Sequence, residues 1–439
     1  MRTNLAHHSR QCDSIGSVLI ITLVLAILLG TTLASYLYWV RTQNVLVSES
    51  QAWNSALAIA EAGIEEGMAQ INVNVGTFSP LDYASSIQAN WGGSAPYTKS
   101  GLLGYTVIVS NDSPPTIYST GTNIVPHLGV PISRTVMVKT RTNSLFGVAI
   151  AAINNIKMNG DNVYVDAYDS ADTNKFPNGI YNRTNALAKG DVATKEGVLN
   201  VANADIHGRV IVGPDSSYSV NTPNGLVGDM SWTGPGIQSP TTDWVITDFN
   251  KEFPDILPPY VTGLNPNSTG IGTNQYILGD GNYYSSDNKF TINNNKTLLV
   301  TGAATLYVTG SFDANANSEI KILYPGASLK IYVGQTTGPA VYANFGQVNN
   351  GGNAFNFQVY GLPTCTDFTL GGNGEYIGTV YAPEANLSFN GGGVIPLDFQ
   401  GACVIKSADI NGKFNLHYDI NLGRSGPPSS YTLASWQEL

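Results

Sequence analysis

The chain has 439 residues, with 31 acidic and 21 basic side chains, a formal net charge of −10 and only 12% charged residues, about half the share in ordinary soluble proteins. That balance offers no basic stripe for a nucleic acid, and the length suffices for about two or three domains around a sizeable core. Gly (47) and Tyr (23) are abundant while Met (5) and His (5) are scarce, a composition rich in turns and strands.

Residues 17–40, SVLIITLVLAILLGTTLASYLYWV, carry no charge. At about 1.5 Å per residue they span about 36 Å, enough to cross a hydrocarbon core with some tilt. Tyr36, Tyr38 and Trp39 gather at the far end, where interfacial rings settle. Arg2 and Arg10 precede the run and favour an inside N-terminus, with Arg41 on the other flank opposing that bias. These features predict a single-pass inner-membrane protein whose C-terminal part lies in the periplasm or outside the cell. A secretory signal would have a shorter apolar run and an A-x-A-like exit.

Helical spacing continues past Arg41. Trp53, Ala56, Leu57, Ala60, Ile64, Met68 and Ile71 recur on one face, Glu49, Glu61 and Glu65 lie on others, and no Pro occurs before Pro80. The pattern predicts one helix from about Ser17 to Asn72, apolar first and amphipathic second, about 80 Å long.

The stretch GSVLIITLVLAILLG followed by SQAWNSALAIAEAGIEEGMAQIN resembles the N-terminal helix of type IV pilins, in particular minor pilins of the PilX type and K-type pseudopilins. The AEAGIEE segment and its distance from the apolar start carry the likeness. The resemblance implies a leader (1–16), cleavage by a prepilin peptidase between Gly16 and Ser17, and packing of the apolar half (17–40) beside other pilins in a fibre core. Two positions depart from the family pattern. Ser17 stands where Phe or Met is usual, and Ile21 stands where most pilins have a glutamate that pairs with a neighbour's terminal amine. Loss of that glutamate fits a subunit capping a fibre; the alternative is a protein that is never cut and stays a single-pass anchor.

Residues 73–144 read as a loop, a short helical stretch near 81–91, and strands near 104–110, 116–121 and 133–140, giving an antiparallel meander. From 145 to 422 the texture becomes short apolar runs separated by Gly or Asn corners, as in VYVDAY, TLLVTGAATLYVTGSF and IKILYPGASLKIYVG. Units of about 20 residues without helical period predict a right-handed parallel β-helix, with a β-sandwich as the alternative. The stretch GTVYAPEANLSFNGGG with FQGACVIKSADINGKFNLHYD resembles the C-terminal β-helical domain of large bacterial pilin-like proteins. Residues 214–262, rich in Pro, Gly and Trp, read as an insertion across one face, and 423–439 as a tail capping an open end. The fold class is thus mainly β behind one long N-terminal helix.

No phosphate loop, G-x-S-x-G elbow or H-E-x-x-H pair occurs, and the sequence predicts no enzyme and no cofactor. Asp161, Asp166, Asp169 and Asp172 in DNVYVDAYDSAD form the one candidate for oxygen ligation of Ca²⁺, at a spacing unlike an EF-hand. Asp191, Asp205, Asp229 and Asp280 are the candidates for a membrane-tethered carbohydrate-active β-helix enzyme, the competing reading. His417 and Tyr418 read as a structural corner. Tyr283, Tyr284 and Trp232 are candidate platforms for a surface polysaccharide. Cys365 and Cys403 are candidates for a disulfide in an oxidising compartment, the alternative being two buried thiols.

Overall fold

The computed structural model describes residues 13–72, 87–88, 90–112, 114–126, 128–160, 162–221, 223–335, 341–349, 353–372, 374–391, 396–425 and 428–439. Two compact units emerge, the first comprising the N-terminal helix to Met68, Trp91–Lys139 and Ala434–Leu439, the second Ala69–Asn90 and Thr140–Leu433.

The helix runs unbroken over Asp13–Asn72, straight through Arg41. It begins within the proposed leader. Most of the helical stretch near 81–91 lies outside the described residues. In the first unit, the meander strands Tyr105–Val109 and Thr116–Ile124 correspond to two of the expected strands, and Pro131–Ser144 is longer than expected. A further strand, Tyr97–Ser100, pairs antiparallel with Tyr105–Val109; four residues reading YTKS carry too little apolar alternation to announce it. The C-terminal strand Pro428–Glu438 stands beside Pro131–Ser144 as the fifth strand of this sheet. The expected cap is therefore a sheet edge: Leu439 N–H donates to Thr135 O at 2.9 Å, and Arg134 pairs with Glu438.

The helix lies on the sheet through small residues. Ala52, Ala56 and Ala60 are fully covered, and Gly63, Gly67 and Gly121 have no room for a Cβ. Following Ile117, Ser119 and Gly121 along the strand, the neighbouring helix positions step back from Gly67 through Gly63 to Ala60 and Ala56. About 13 Å of strand thus matches about 13 Å of helix, so the two axes run nearly collinear and opposed.

The second unit is built on a 25-stranded, mostly parallel sheet, a pairing that the sandwich alternative would not give. Its strands form three ladders. Stacked aromatic pairs follow the strand spacing of about 4.8 Å: Tyr332–Tyr360 at 4.9 Å and Tyr376–Phe399 at 4.7 Å between centroids. In-register stacking of like residues favours parallel rows because each ring finds its equivalent one row away.

The order of rows is not the order of the chain. Leu397–Ile410 pairs with Phe414–Asp419 on the first ladder, but with Ile150–Ala152 and Ile156–Met158 on the other two. One row is therefore composite, completed by strands from both ends of the unit. From it, Val163–Tyr168, Val192–Thr194 and Val198–Val201 stack outward, followed by Ala204–His207, Val210–Val212 and Ser217–Val220.

The chain then returns along the outside of the stack. Phe249 N–H donates to Val212 O at 3.1 Å, the Tyr381 hydroxyl donates to Pro254 O at 2.8 Å, Ile256 is buried, and the Tyr260 hydroxyl reaches both Tyr283 O and Thr305 O at 2.7 Å. This strap passes about eight rows, about 38 Å, within the extended reach of its residues. From Asn274–Leu278 onward the chain coils back to the composite row. Residues 214–262 are thus not a single insertion: Ser217–Val220, Leu226–Gly228, Gly236–Ile237 and Val245–Ile246 belong to the sheet, in runs too short to show a period.

Candidate functional site

Among the described residues, nothing covers the first half of the helix. From Val18 to Trp39 its large apolar side chains are 49% to 76% exposed, and it is long and apolar enough to cross a membrane. Thr22, Thr31 and Thr32 turn their hydroxyls back onto carbonyls three residues earlier at 2.9–3.0 Å, so their polar atoms need no solvent. Gly16 and Ser17 lie in helical backbone near its start.

The amphipathic half carries its own electrostatics. Glu66, within the AEAGIEE segment, accepts from Lys99 and Tyr105. Burial raises the Glu66 pKa, but these hydrogen bonds and the Lys99 charge outweigh it, and the carboxyl sits below its ordinary value. The Arg134 guanidinium lies 4.7 Å from the Trp53 ring centroid.

A cluster of titratable side chains lies on the first ladder at the composite row. His417 faces Gln400 on one side and Asp166 on the other by register. Its Nδ1 is 2.5 Å from Asp166 Oδ1 and its Nε2 is 3.1 Å from Asp398 Oδ1. The Tyr181 ring stacks on the imidazole at 3.6 Å, and the Tyr181 hydroxyl donates to Asp166 Oδ2 at 2.7 Å. Arg183 lies 4.3 Å from the centroid of Tyr164. Burial works against the imidazolium, but the hydrogen bonds and charges of Asp166 and Asp398 outweigh it and raise the His417 pKa. Both ring nitrogens are engaged and the side chain is 3% exposed, so no lone pair faces a substrate. The arrangement holds charge in place; it pins the C-terminal strand of the composite row.

The other sequence candidates disperse. Asp161 lies outside the described residues. Asp166 belongs to the histidine cage, Asp169 pairs with Arg424, and Asp172 accepts from the Lys175 N–H at 3.3 Å. Among the described residues no three His, Cys, Asp or Glu side chains converge to hold a metal. Asp191 holds Arg209, Asp229 closes a turn onto Ser231 and Gln238, and Asp280 accepts from Ala303 N–H at 2.6 Å. Burial raises the Asp205 pKa. The Tyr283 hydroxyl accepts from Gly279 N–H at 2.9 Å, Tyr284 packs on Tyr307, and the Trp232 indole nitrogen is buried; all three side chains are half-buried. Cys365 and Cys403 are buried free thiols; burial pushes Cys365 up to about 12 and Cys403 higher still.

Tyr181, Arg183 and Asp398 were not signalled by the sequence. The one available signal was the alternation of VYVDAY and FNLHYD, which places Asp166 and His417 on the same face of neighbouring strands.

Residues 261–425 match a family described as a domain of unknown function, DUF7305. No curated protein matches the chain. Among solved structures, the chain is similar to the competence-associated pilin ComZ from Thermus thermophilus, with 11% identity over 88% of this chain and 97% of that one and a TM-score of 0.32.

Proposed function

We propose that this chain is a membrane-anchored, pilin-like subunit, a minor or tip component of a type IV pilus or pseudopilus, that carries a right-handed parallel β-helix outside the cytoplasmic membrane. One observation carries the reading: a single continuous helix whose first half exposes an unbroken apolar surface and whose second half docks on an antiparallel sheet through alanines and glycines. A surface of that kind needs lipid or other apolar helices around it. The right-handed sense follows the general rule for parallel crossovers in one sheet. In this reading a prepilin peptidase cuts between Gly16 and Ser17, and the apolar half passes from bilayer to fibre core beside other pilins.

Fractionation of cells expressing the full chain tests this. With an active prepilin peptidase, the protein is expected in sheared surface fibres as well as membranes; in cells lacking the peptidase it stays in membranes. Recovery in the soluble periplasmic fraction in both cases would overturn the reading.

A further inference from the structure

Where the chain turns from the first ladder into the second at successive rows, the corners leave a cleft of about 540 Å³, within the size range of small-molecule sites. Its polar groups are positioned. Asp191, largely buried, accepts from Arg209 N–H at 2.8 Å and from the guanidinium Nη2 and Nε at 2.6 and 3.0 Å. That fixes the Arg209 guanidinium while leaving its outer edge free, and the side chain is 46% exposed. Arg424 is held by one guanidinium nitrogen, which donates to Asp169. Lys189 and Asp243 also line the cleft, and neither the ammonium nor the carboxylate has a side-chain partner among the described residues. Trp244, packed against the core, forms part of the wall.

The three cations here are balanced by Asp169, Asp191 and Asp243. A site of balanced charge does not favour a multiply charged anion or a metal ion. It offers fixed donors, one free carboxylate acceptor and an aromatic face, and a polyhydroxylated ring uses all three, since each hydroxyl both donates and accepts. We propose that this cleft binds a neutral pyranose of a surface glycan, with hydroxyls donating to Asp243 and accepting from Lys189 and Arg209, and the ring's C–H face against Trp244. The site stands apart from the assembly role, because a chain that never enters a fibre still carries the cleft.

The test is calorimetric titration of the full chain, held in a detergent without a sugar headgroup, with glucose, galactose, mannose, N-acetylglucosamine and, separately, inorganic phosphate. Saturable binding of at least one sugar is expected. Asp243→Asn and Lys189→Met should each weaken it about tenfold or more, as loss of a hydrogen bond to a charged group does, and both substitutions fall on accessible side chains outside the sheet. Absence of saturable binding for all four sugars overturns the proposal. So does an affinity unchanged in both variants, or phosphate binding more tightly than every sugar.

Discussion

Gly121 approaches Ala56 so closely that a Cβ on the glycine would meet the Ala56 carbonyl oxygen at 2.2 Å. The next atom on the helix, Ala60 N, would be 2.4 Å away. Neither is the end of a flexible side chain, so the helix and strand must separate to admit a methyl group. Gly121→Ala is expected to destabilise the helix–sheet contact by about 1–3 kcal/mol. Hydrogen exchange of Thr116–Ile124 in the full chain checks this: faster exchange confined to that strand and its neighbours is the expected result, and unchanged protection contradicts it.

The His417 cage makes stability depend on pH with a definite sign. The folded His417 pKa lies above the ordinary 6.5, so its contribution is complete below about 6.5 and fades as pH rises through the higher folded value. Lys251 acts in the opposite sense. Burial pushes its pKa down to about 8, so stability is regained between about 8 and the ordinary lysine value. The thermal midpoint of the second unit should therefore fall from pH 6.5 upward, with the Lys251 gain offset above about 9 by the buried thiols Cys365 and Cys403, whose raised pKa values cost stability once the unfolded thiols ionise. His417→Gln should lower the midpoint at pH 6 and remove the first slope. A midpoint rising between pH 6.5 and 7.5 in the parent chain would falsify this assignment.

Tyr260 is the clearest fastening of the strap, its one hydroxyl proton shared between Tyr283 O and Thr305 O. Tyr260→Phe leaves both carbonyls without that donor and should destabilise by about 1–3 kcal/mol. Limited proteolysis reads it directly: cleavage should appear between Pro254 and Leu264 in the variant before it appears elsewhere, whereas an unchanged digestion pattern would show that the strap is held by other contacts.

Gly401 takes a φ of 147°, and a Cβ there would lie 1.8 Å from Gly378 O in the adjacent row. Both the backbone conformation and the contact exclude a side chain. Gly401→Ala is expected to cost more than about 3 kcal/mol, with loss of near-ultraviolet circular dichroism from the aromatic stacks nearby. A variant with the parent's thermal midpoint would contradict the stacking register at this corner.

How much of this was legible depended on the range of the interaction. The helix could be read because Ala56, Ala60, Ile64 and Ile71 repeat within a few turns, and the meander because its strands are separated by Pro, Asn and Gly clusters. Repetition in the second unit suggested stacked strands, but row order has no local signature. His417 meets Asp166 across 251 residues, and only the closed fold makes them neighbours. The same limit hid the strap, whose Pro-rich stretch read as an insertion, and the corner cleft, whose Lys189, Arg209, Trp244 and Arg424 are scattered along the chain. The acidic run was conspicuous for the opposite reason: neighbours in sequence, Asp166, Asp169 and Asp172 serve different partners in space.

The most direct measurement of the central claim is the intact mass and N-terminal sequence of the protein isolated from the membranes of cells with an active prepilin peptidase. An N-terminus at Ser17, with the rest of the helix retained, is the predicted result. A chain that still begins at Met1, or one cut beyond Val40 so that the apolar half is lost, contradicts it.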